Sequence, residues 1–131
     1  MAMVEMIIVL PLLFMMLFAI VEFSVLFGRW QTLSNAAREG ARTAVVFRSG
    51  CSAAAVEAEI RQKVKAYASP LGMVLTDGDI AVTGACGASD TSATVTATYT
   101  HDFQILPNFA GSVSSSVDLV GVSAMRNEGS S

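Results

Sequence analysis

A charge-free apolar segment close to the N-terminus constrains this chain more than any other feature of its sequence. Met6 to Val21 contains no charged side chain, and apolar residues resume from Phe23 to Phe27. As one helix, Met6 to Phe27 is about 33 Å long, and the hydrocarbon core of a bilayer is about 30 Å thick. We therefore predict that residues 6–27, approximately, cross a membrane.

The charges around this segment bear on three interpretations of it. A secretory signal peptide begins with basic residues and ends at a small-residue cleavage site, whereas here no Lys or Arg precedes Arg29. A plain anchor conflicts with Arg29, Arg38 and Arg42, because basic residues after the segment would retain the C-terminal part in the cytoplasm. The third interpretation is a basic leader that once preceded Met1 and was removed. It restores an extracytoplasmic orientation, and we adopt it.

The rest of the chain has the composition of one small soluble domain. The net charge is −3 and neither sign forms a long run, which argues against nucleic-acid binding, a function that needs a clustered basic patch. The two cysteines, Cys51 and Cys86, are too far apart for a CxxC redox or zinc motif. They are either a disulfide or two unrelated buried thiols. We favour the disulfide, which is typical of small extracytoplasmic domains.

Helical periodicity continues beyond the apolar segment. Apolar residues recur at spacings of three and four from Trp30 to Val45, which extends one helix from near Met1 to about Phe47. Such a helix is about 70 Å long, and only a membrane, a bundle or a filament core buries so much surface. An apolar stripe along Ala53 to Ala68 predicts a second, amphipathic helix, with Ser52 as its N-cap.

The second half of the chain changes to the alternating pattern of β-strands. Strands are predicted at Asp79 to Thr83, Thr91 to Phe103 and Val113 to Met125, joined by loops that contain Gly and Pro. They predict a small three-stranded antiparallel sheet with a helix on one face. The expected fold is therefore α+β, with the N-terminal helix at residues 1–47 and an extracytoplasmic α+β domain at residues 48–131.

Motifs at both ends of the chain resemble a known family. The run Leu33-Ser34-Asn35-Ala36-Ala37-Arg38-Glu39-Gly40-Ala41-Arg42, preceded by Val4-Glu5-Met6 and Leu10-Pro11-Leu12-Leu13, is similar to the TadE-like pilins of tight-adherence (Tad/Flp) pilus systems. Ala124-Met125-Arg126-Asn127-Glu128 is similar to the usual C-terminus of that family. The resemblance implies a type IV pilin-like fold, export as a prepilin, cleavage by a prepilin peptidase, and helical assembly by inner-membrane machinery.

Four residues of the first helix are candidates for an assembly role: Met1, Glu5, Pro11 and Glu22. With Met1 as the first mature residue, Glu5 stands fifth, where type IV pilin relatives carry an acid. It either pairs with a freed Met1 amine or lies at the headgroup level, because a carboxylate among apolar residues is costly otherwise. Pro11 predicts a kink or local melting, since it removes one helical hydrogen bond. Glu22 is expected to reach water or to contact another subunit.

Small residues of the same helix are candidates for close packing. Small side chains let another helix approach closely, within one subunit or between subunits. The set comprises Ala36, Ala37, Gly40, Ala41 and Ala44.

No motif in the sequence indicates an enzyme. His101, the only histidine, is expected to be a structural residue of a strand. Asp77 and Asp79 predict a solvated turn, because two carboxylates do not make a calcium loop. We therefore expect no catalytic residue, no cofactor and no metal.

The sequence thus predicts a structural subunit of a pilus filament, built from copies of this chain or together with other pilins. Before assembly it would be held in the bacterial inner membrane, and afterwards it would form an extracellular pilus. The alternative is a minor or tip pilin, or a pseudopilin, that initiates the pilus or contacts a surface through its Thr- and Ser-rich sheet.

Overall fold

Two helices and a three-stranded antiparallel sheet make up the part of the chain that the computed structural model describes, residues 2–46, 50–88, 91–104 and 115–128. The expected α+β class, with a long apolar N-terminal helix, a second helix and an antiparallel sheet, is confirmed. The α-helices and strands are, in order, α1 (Ala2–Val45), α2 (Ala53–Ala68), β1 (Ile80–Thr83), β2 (Ser92–Asp102) and β3 (Ser116–Arg126), and single 3-10 turns lie at Ser69–Leu71 and Asp77–Asp79.

Both helices follow the predicted bounds closely. α1 ends at Val45, and the predicted end near Phe47 lies outside the described residues, as does Met1. α2 begins and ends where its apolar stripe predicted. Ser52 takes the N-cap position with extended backbone, φ −104° and ψ 116°, but its side chain makes no capping hydrogen bond. Its carbonyl instead accepts the backbone N–H of Val56, at 3.1 Å.

The sheet has β2 at its centre, between β1 and β3. β1 pairs antiparallel with β2, in a register that sets Ile80 opposite Ala97 and Thr83 opposite Thr94. The three strands lie where the alternating pattern predicted them, within a few residues at each end. Val113 and Ser114, at the start of the predicted third strand, lie outside the described residues.

The core lies between the inner face of the sheet and both helices. Leu33 of α1, Ile60 and Val64 of α2, and Val95 and Ala97 of β2 are fully buried. Alternation along β2 and a helical stripe on α2 supply these side chains, as their periodicities predict. Complete burial of each Leu, Ile or Val stabilises the fold by about 1.5–3 kcal/mol.

The chain divides into two compact units. One comprises Met1–Gly28 and Thr100–Val117, and the other comprises Arg29–Tyr99 and Asp118–Ser131. α1 contributes to both, and its C-terminal part belongs to the unit that contains α2.

Candidate functional site

The apolar side chains at the start of α1 are exposed. Met3 is 84% exposed, Ile8 71% and Phe27 60%. Within the described ranges, α1 is the one helix long and apolar enough to cross a membrane, and its most apolar part is not buried. Length and composition alone support this finding. The helix is compatible with membrane anchoring, and a surface this apolar requires cover from lipid or from other chains.

Glu5 lies in the first turn of α1, and its side chain is exposed. A negative charge there is favoured by the partial positive charge of the free N–H groups in that turn. It is the only charged side chain between Met3 and Val21. The amine of Met1, its expected partner, lies outside the described residues. The exposed side chain of Glu5 is accessible to another molecule.

Pro11 lies inside α1, and the helix continues across it. The pyrrolidine nitrogen has no hydrogen to donate to the carbonyl of Ile7, so one helical hydrogen bond is missing. The backbone is helical at Pro11, so the structure shows no local melting there, and the kink stays a prediction. A shallow apolar groove at this end of the helix is lined by Met3, Met6, Ile7, Leu10 and Pro11.

Glu22 contacts the segment that follows β2. The backbone N–H of Gln104 donates to its carboxylate at 2.5 Å, and Glu22 is only 7% exposed. Beside it, the ring of Phe23 meets the ring of Phe103 edge-on, with centroids 6.4 Å apart. We expected Glu22 to reach water or another subunit, yet it has a partner within its own chain. Sequence reasoning missed Gln104, because a contact between residues 82 apart leaves no local pattern.

The small residues of α1 face the chain's own core. A Cβ on Gly40 would lie 3.0 Å from the Val64 side chain of α2 and 3.2 Å from both Ile60 and Val95. The close approach anticipated for this stripe thus occurs within the subunit, against α2 and β2. The alanines of the set are buried as well, namely Ala36, Ala37, Ala41 and Ala44.

The second half of α1 packs equally closely against the sheet. A Cβ on Gly121 of β3 would lie 2.7 Å from the backbone oxygen of Leu33. Only glycine fits there without moving the strand away from the helix. This strand therefore lies directly on the helix backbone.

Cys51 and Cys86 form a disulfide, with Cα atoms 5.9 Å apart. Cys51 directly precedes α2, and Cys86 lies in the connection between β1 and β2. The bond joins residues separated by 35 positions, so it restricts the unfolded chain over a substantial loop.

The C-terminal residues are hydrogen-bonded to the same β1–β2 connection in which Cys86 lies. The side-chain amide of Asn127 donates to the Gly84 carbonyl at 3.0 Å and to the Thr91 hydroxyl at 2.8 Å. The N–H of Glu128 donates to the carbonyl of Val45 at 3.1 Å. The end of β3 is thereby bonded to the β1–β2 connection and to the end of α1. The family-like C-terminal motif was the sequence signal for these residues, although it did not indicate their contacts.

The outer face of the sheet presents small polar and apolar side chains. Thr83 is exposed, and Thr94 and Thr96 are half-buried. On β3, Val120 is 45% exposed and Val122 58%. This Thr- and Val-bearing face is therefore accessible to a partner.

Asp77 and Asp79 form a polar turn before β1. The backbone N–H and the hydroxyl of Thr76 both donate to Asp79 at 2.7 Å, and these bonds lower the pKa of Asp79. The ammonium of Lys65 lies 2.7 Å from Asp77 and lowers the pKa of that carboxyl by a hydrogen bond and by its charge. Both carboxylates thus have bonding partners within the protein.

His101, the remaining candidate for chemistry, has a structural contact. His101 is 4% exposed, and its ring meets that of Phe103 edge-on with centroids 5.3 Å apart. In the part of the chain that the structure describes, no three His, Cys, Asp or Glu side chains are grouped so that they could hold a metal ion.

Comparison with known proteins gives one finding at the N-terminus. Residues 1–42 match the family model described as "TadE-like protein". No curated protein matches the chain, and no solved structure does. The resemblance inferred from the Asn-Ala-Ala-Arg-Glu-Gly-Ala-Arg run is confirmed over the segment that contains this run and Glu5.

Proposed function

We propose, with the TadE-like N-terminal segment as the premise, that this chain is a structural subunit of a Tad-like type IV pilus. The family indicates a pilus-associated protein of a structural, non-enzymatic kind. One observation carries the proposal: α1 exposes an apolar surface from Met3 to Val21 in which Glu5, in the first turn, is the one charged residue. Such a surface suits storage in lipid and later packing against other copies of the helix.

Assembly then moves this helix from one apolar environment to another. Lipid chains and a helix bundle cover apolar side chains about equally well, so the hydrophobic effect contributes little to the choice between them. Specificity must come from close packing and from the Glu5 charge, which is stabilised when it meets a cation in a medium of low dielectric constant. The amine of Met1, in the same chain or a neighbouring one, is the proposed cation.

The proposed partners follow from this mechanism. The subunit is processed by a prepilin peptidase and held in the bacterial inner membrane. The inner-membrane assembly machinery then adds it to an extracellular filament of identical chains or of this chain with other pilins. The unit that contains α2 and the sheet is extracytoplasmic in this proposal, in agreement with its disulfide.

Substitution of Glu5 tests the proposal. Glu5→Ala and Glu5→Lys are expected to abolish piliation, seen by electron microscopy, while immunoblots of membrane fractions still detect the subunit. Glu57→Lys is the matched control. It reverses the charge of Glu57, whose carboxylate forms a partly exposed ion pair with Arg61 at 3.6 Å. Normal filaments from both Glu5 variants would refute the assembly role of this acid.

The accessible outer face of the sheet favours a second candidate, a minor or tip pilin that contacts a surface. Val120 and Val122 of β3 are exposed and line a depression with Trp30, Ser34 and Arg38 of α1, which suits a binding surface. Immunogold labelling of sheared filaments distinguishes the two roles. Label along the whole filament supports a main subunit, and label at the ends alone supports a tip protein.

A further inference from the structure

The contact between Glu22 and Gln104 places the segment that follows β2 against α1 at residue 22. Gln104 and Asp102 have exposed side chains, and Ser115 is exposed as well. The N–H of Phe103 donates to the carbonyl of Ser115 at 2.8 Å, so both arms of the β2–β3 connection are held together there. Glu22 thus contacts the backbone at Gln104, and Asp102 and Phe103, which is bonded to Ser115, are close to Gln104 along the chain.

A membrane span that reaches Phe27 would carry these groups into hydrocarbon. Glu22 would then lie about 7.5 Å below the end of the span, because each helical residue rises about 1.5 Å. Gln104, bonded to Glu22, would lie at the same depth, with Asp102 two residues away. Lipid-exposed irregular backbone does not occur in the hydrocarbon region, and a charged Asp there is strongly unfavourable.

A span that ends before Glu22 avoids this cost and still has a suitable length. Met3 to Val21 is about 28 Å long as a helix, close to the hydrocarbon thickness of about 30 Å. Glu5 and Glu22 then lie near its two ends, where Glu5 can reach headgroups or water and Glu22 is bonded to the N–H of Gln104. The interval between these two acids contains no other charge.

We propose that the lipid-covered part of α1 ends at Val21 and that the Glu22–Gln104 contact rests on the headgroup surface as a depth stop. This inference rests on the proposed function, because it concerns the subunit held in the membrane before assembly. It replaces the span of residues 6–27 expected from hydropathy. Phe27, 60% exposed, then lies outside the hydrocarbon, where it is accessible to another subunit.

Tryptophan fluorescence tests the position of the boundary, because the chain has a single tryptophan, Trp30. In a full-length Trp30→Phe background, Phe18→Trp and Phe27→Trp place the probe on either side of Glu22. In phosphatidylcholine vesicles, brominated acyl chains are expected to quench the Phe18→Trp protein several-fold more strongly than the Phe27→Trp protein. Aqueous acrylamide is expected to show the opposite order. Equal quenching of both by brominated chains would overturn the boundary at Glu22.

Two variants of Glu22 test the depth stop, each with the Phe27→Trp probe. Glu22→Leu removes the acceptor and lengthens the apolar run, so the probe should sink and gain quenching by brominated lipid. Glu22→Gln keeps an oxygen for the Gln104 N–H, so the probe should remain accessible to acrylamide. An unchanged profile for Glu22→Leu would overturn the role of this contact while leaving the pilin function intact. If brominated lipid quenches neither the Phe18→Trp nor the Phe27→Trp probe in the protein that retains Glu22, membrane storage itself is refuted.

Discussion

Asn127 is the residue whose side chain bonds the C-terminal tail to the rest of the sheet. Asn127→Ala removes the side-chain donor to the Gly84 carbonyl, which keeps only its bond from the N–H of Gly87, and to the Thr91 hydroxyl, at a site where Asn127 is 6% exposed. We expect a loss of about 1–3 kcal/mol in the free energy of unfolding, measured by circular dichroism on the full chain in detergent. Glu128→Ala, which removes an exposed side chain and keeps the backbone bond, is the control. Equal losses in both variants would contradict this account.

Asp79 contributes to the stability of the fold, and this contribution is lost in acid. The Thr76 hydrogen bonds hold its pKa in the folded protein below the ordinary value of 3.8. Its contribution to stability is therefore present above that pH and is lost as the pH falls through the lower, folded pKa. Asp79→Asn retains an oxygen for the Thr76 N–H but cannot titrate. Denaturant unfolding between about pH 2 and 6 should show a weaker pH dependence for this variant, and identical profiles would exclude the effect.

At the scale of elements, the contact of β3 with α1 depends on one glycine. A Cβ on Gly121 would meet the backbone of Leu33 at 2.7 and 2.8 Å, and neither strand nor helix backbone can yield without moving as a whole. Gly121→Ala should therefore destabilise the fold by about 1–3 kcal/mol. Val122→Ala, at a neighbouring position that is 58% exposed, should stay within about 0.5 kcal/mol of the parent. The prediction is wrong if thermal unfolding shows no difference between them.

The disulfide between Cys51 and Cys86 links the start of α2 to the β1–β2 connection. The double variant Cys51→Ser/Cys86→Ser should unfold with a free energy about 2–4 kcal/mol lower than the parent, because the loop of the unfolded chain is no longer restricted. A reducing agent should cause the same loss in the parent and none in the variant. A parent whose stability is unaffected by reduction would contradict a stabilising bond.

The helices and strands that could be predicted are those with a clear local pattern of apolar residues in the sequence. Ser52 before α2 and Ser69-Pro70 after it marked the ends of that helix, and the alternation of β2 identified its buried face, Val95 and Ala97. The same reasoning could not say that Gly40 and its alanine neighbours would face α2 rather than another subunit. That choice depends on contacts between distant residues. The Glu22–Gln104 bond was unpredictable for the same reason, because its donor is a backbone N–H that any residue could supply.

At the scale of the whole molecule, one helix contributes to both compact units. Its C-terminal part is buried within the chain through Leu33 and the small residues around Gly40, whereas its N-terminal part from Met3 onward is exposed. In our proposal, the apolar N-terminal surface makes the contact between copies, because the small-residue stripe is buried within the chain. In our account this surface faces lipid first and neighbouring helices afterwards.

Photo-crosslinking from the middle of that surface tests this claim most directly. A photoreactive phenylalanine analogue replaces Leu13, which is 54% exposed, and crosslinking is carried out on sheared filaments and on membranes. The account predicts that filaments yield adducts whose peptides join residue 13 to α1 of another pilin subunit, while the unassembled membrane pool yields none. Filaments that contain the chain but give no helix-to-helix adduct, or filaments that lack the chain altogether, would contradict it.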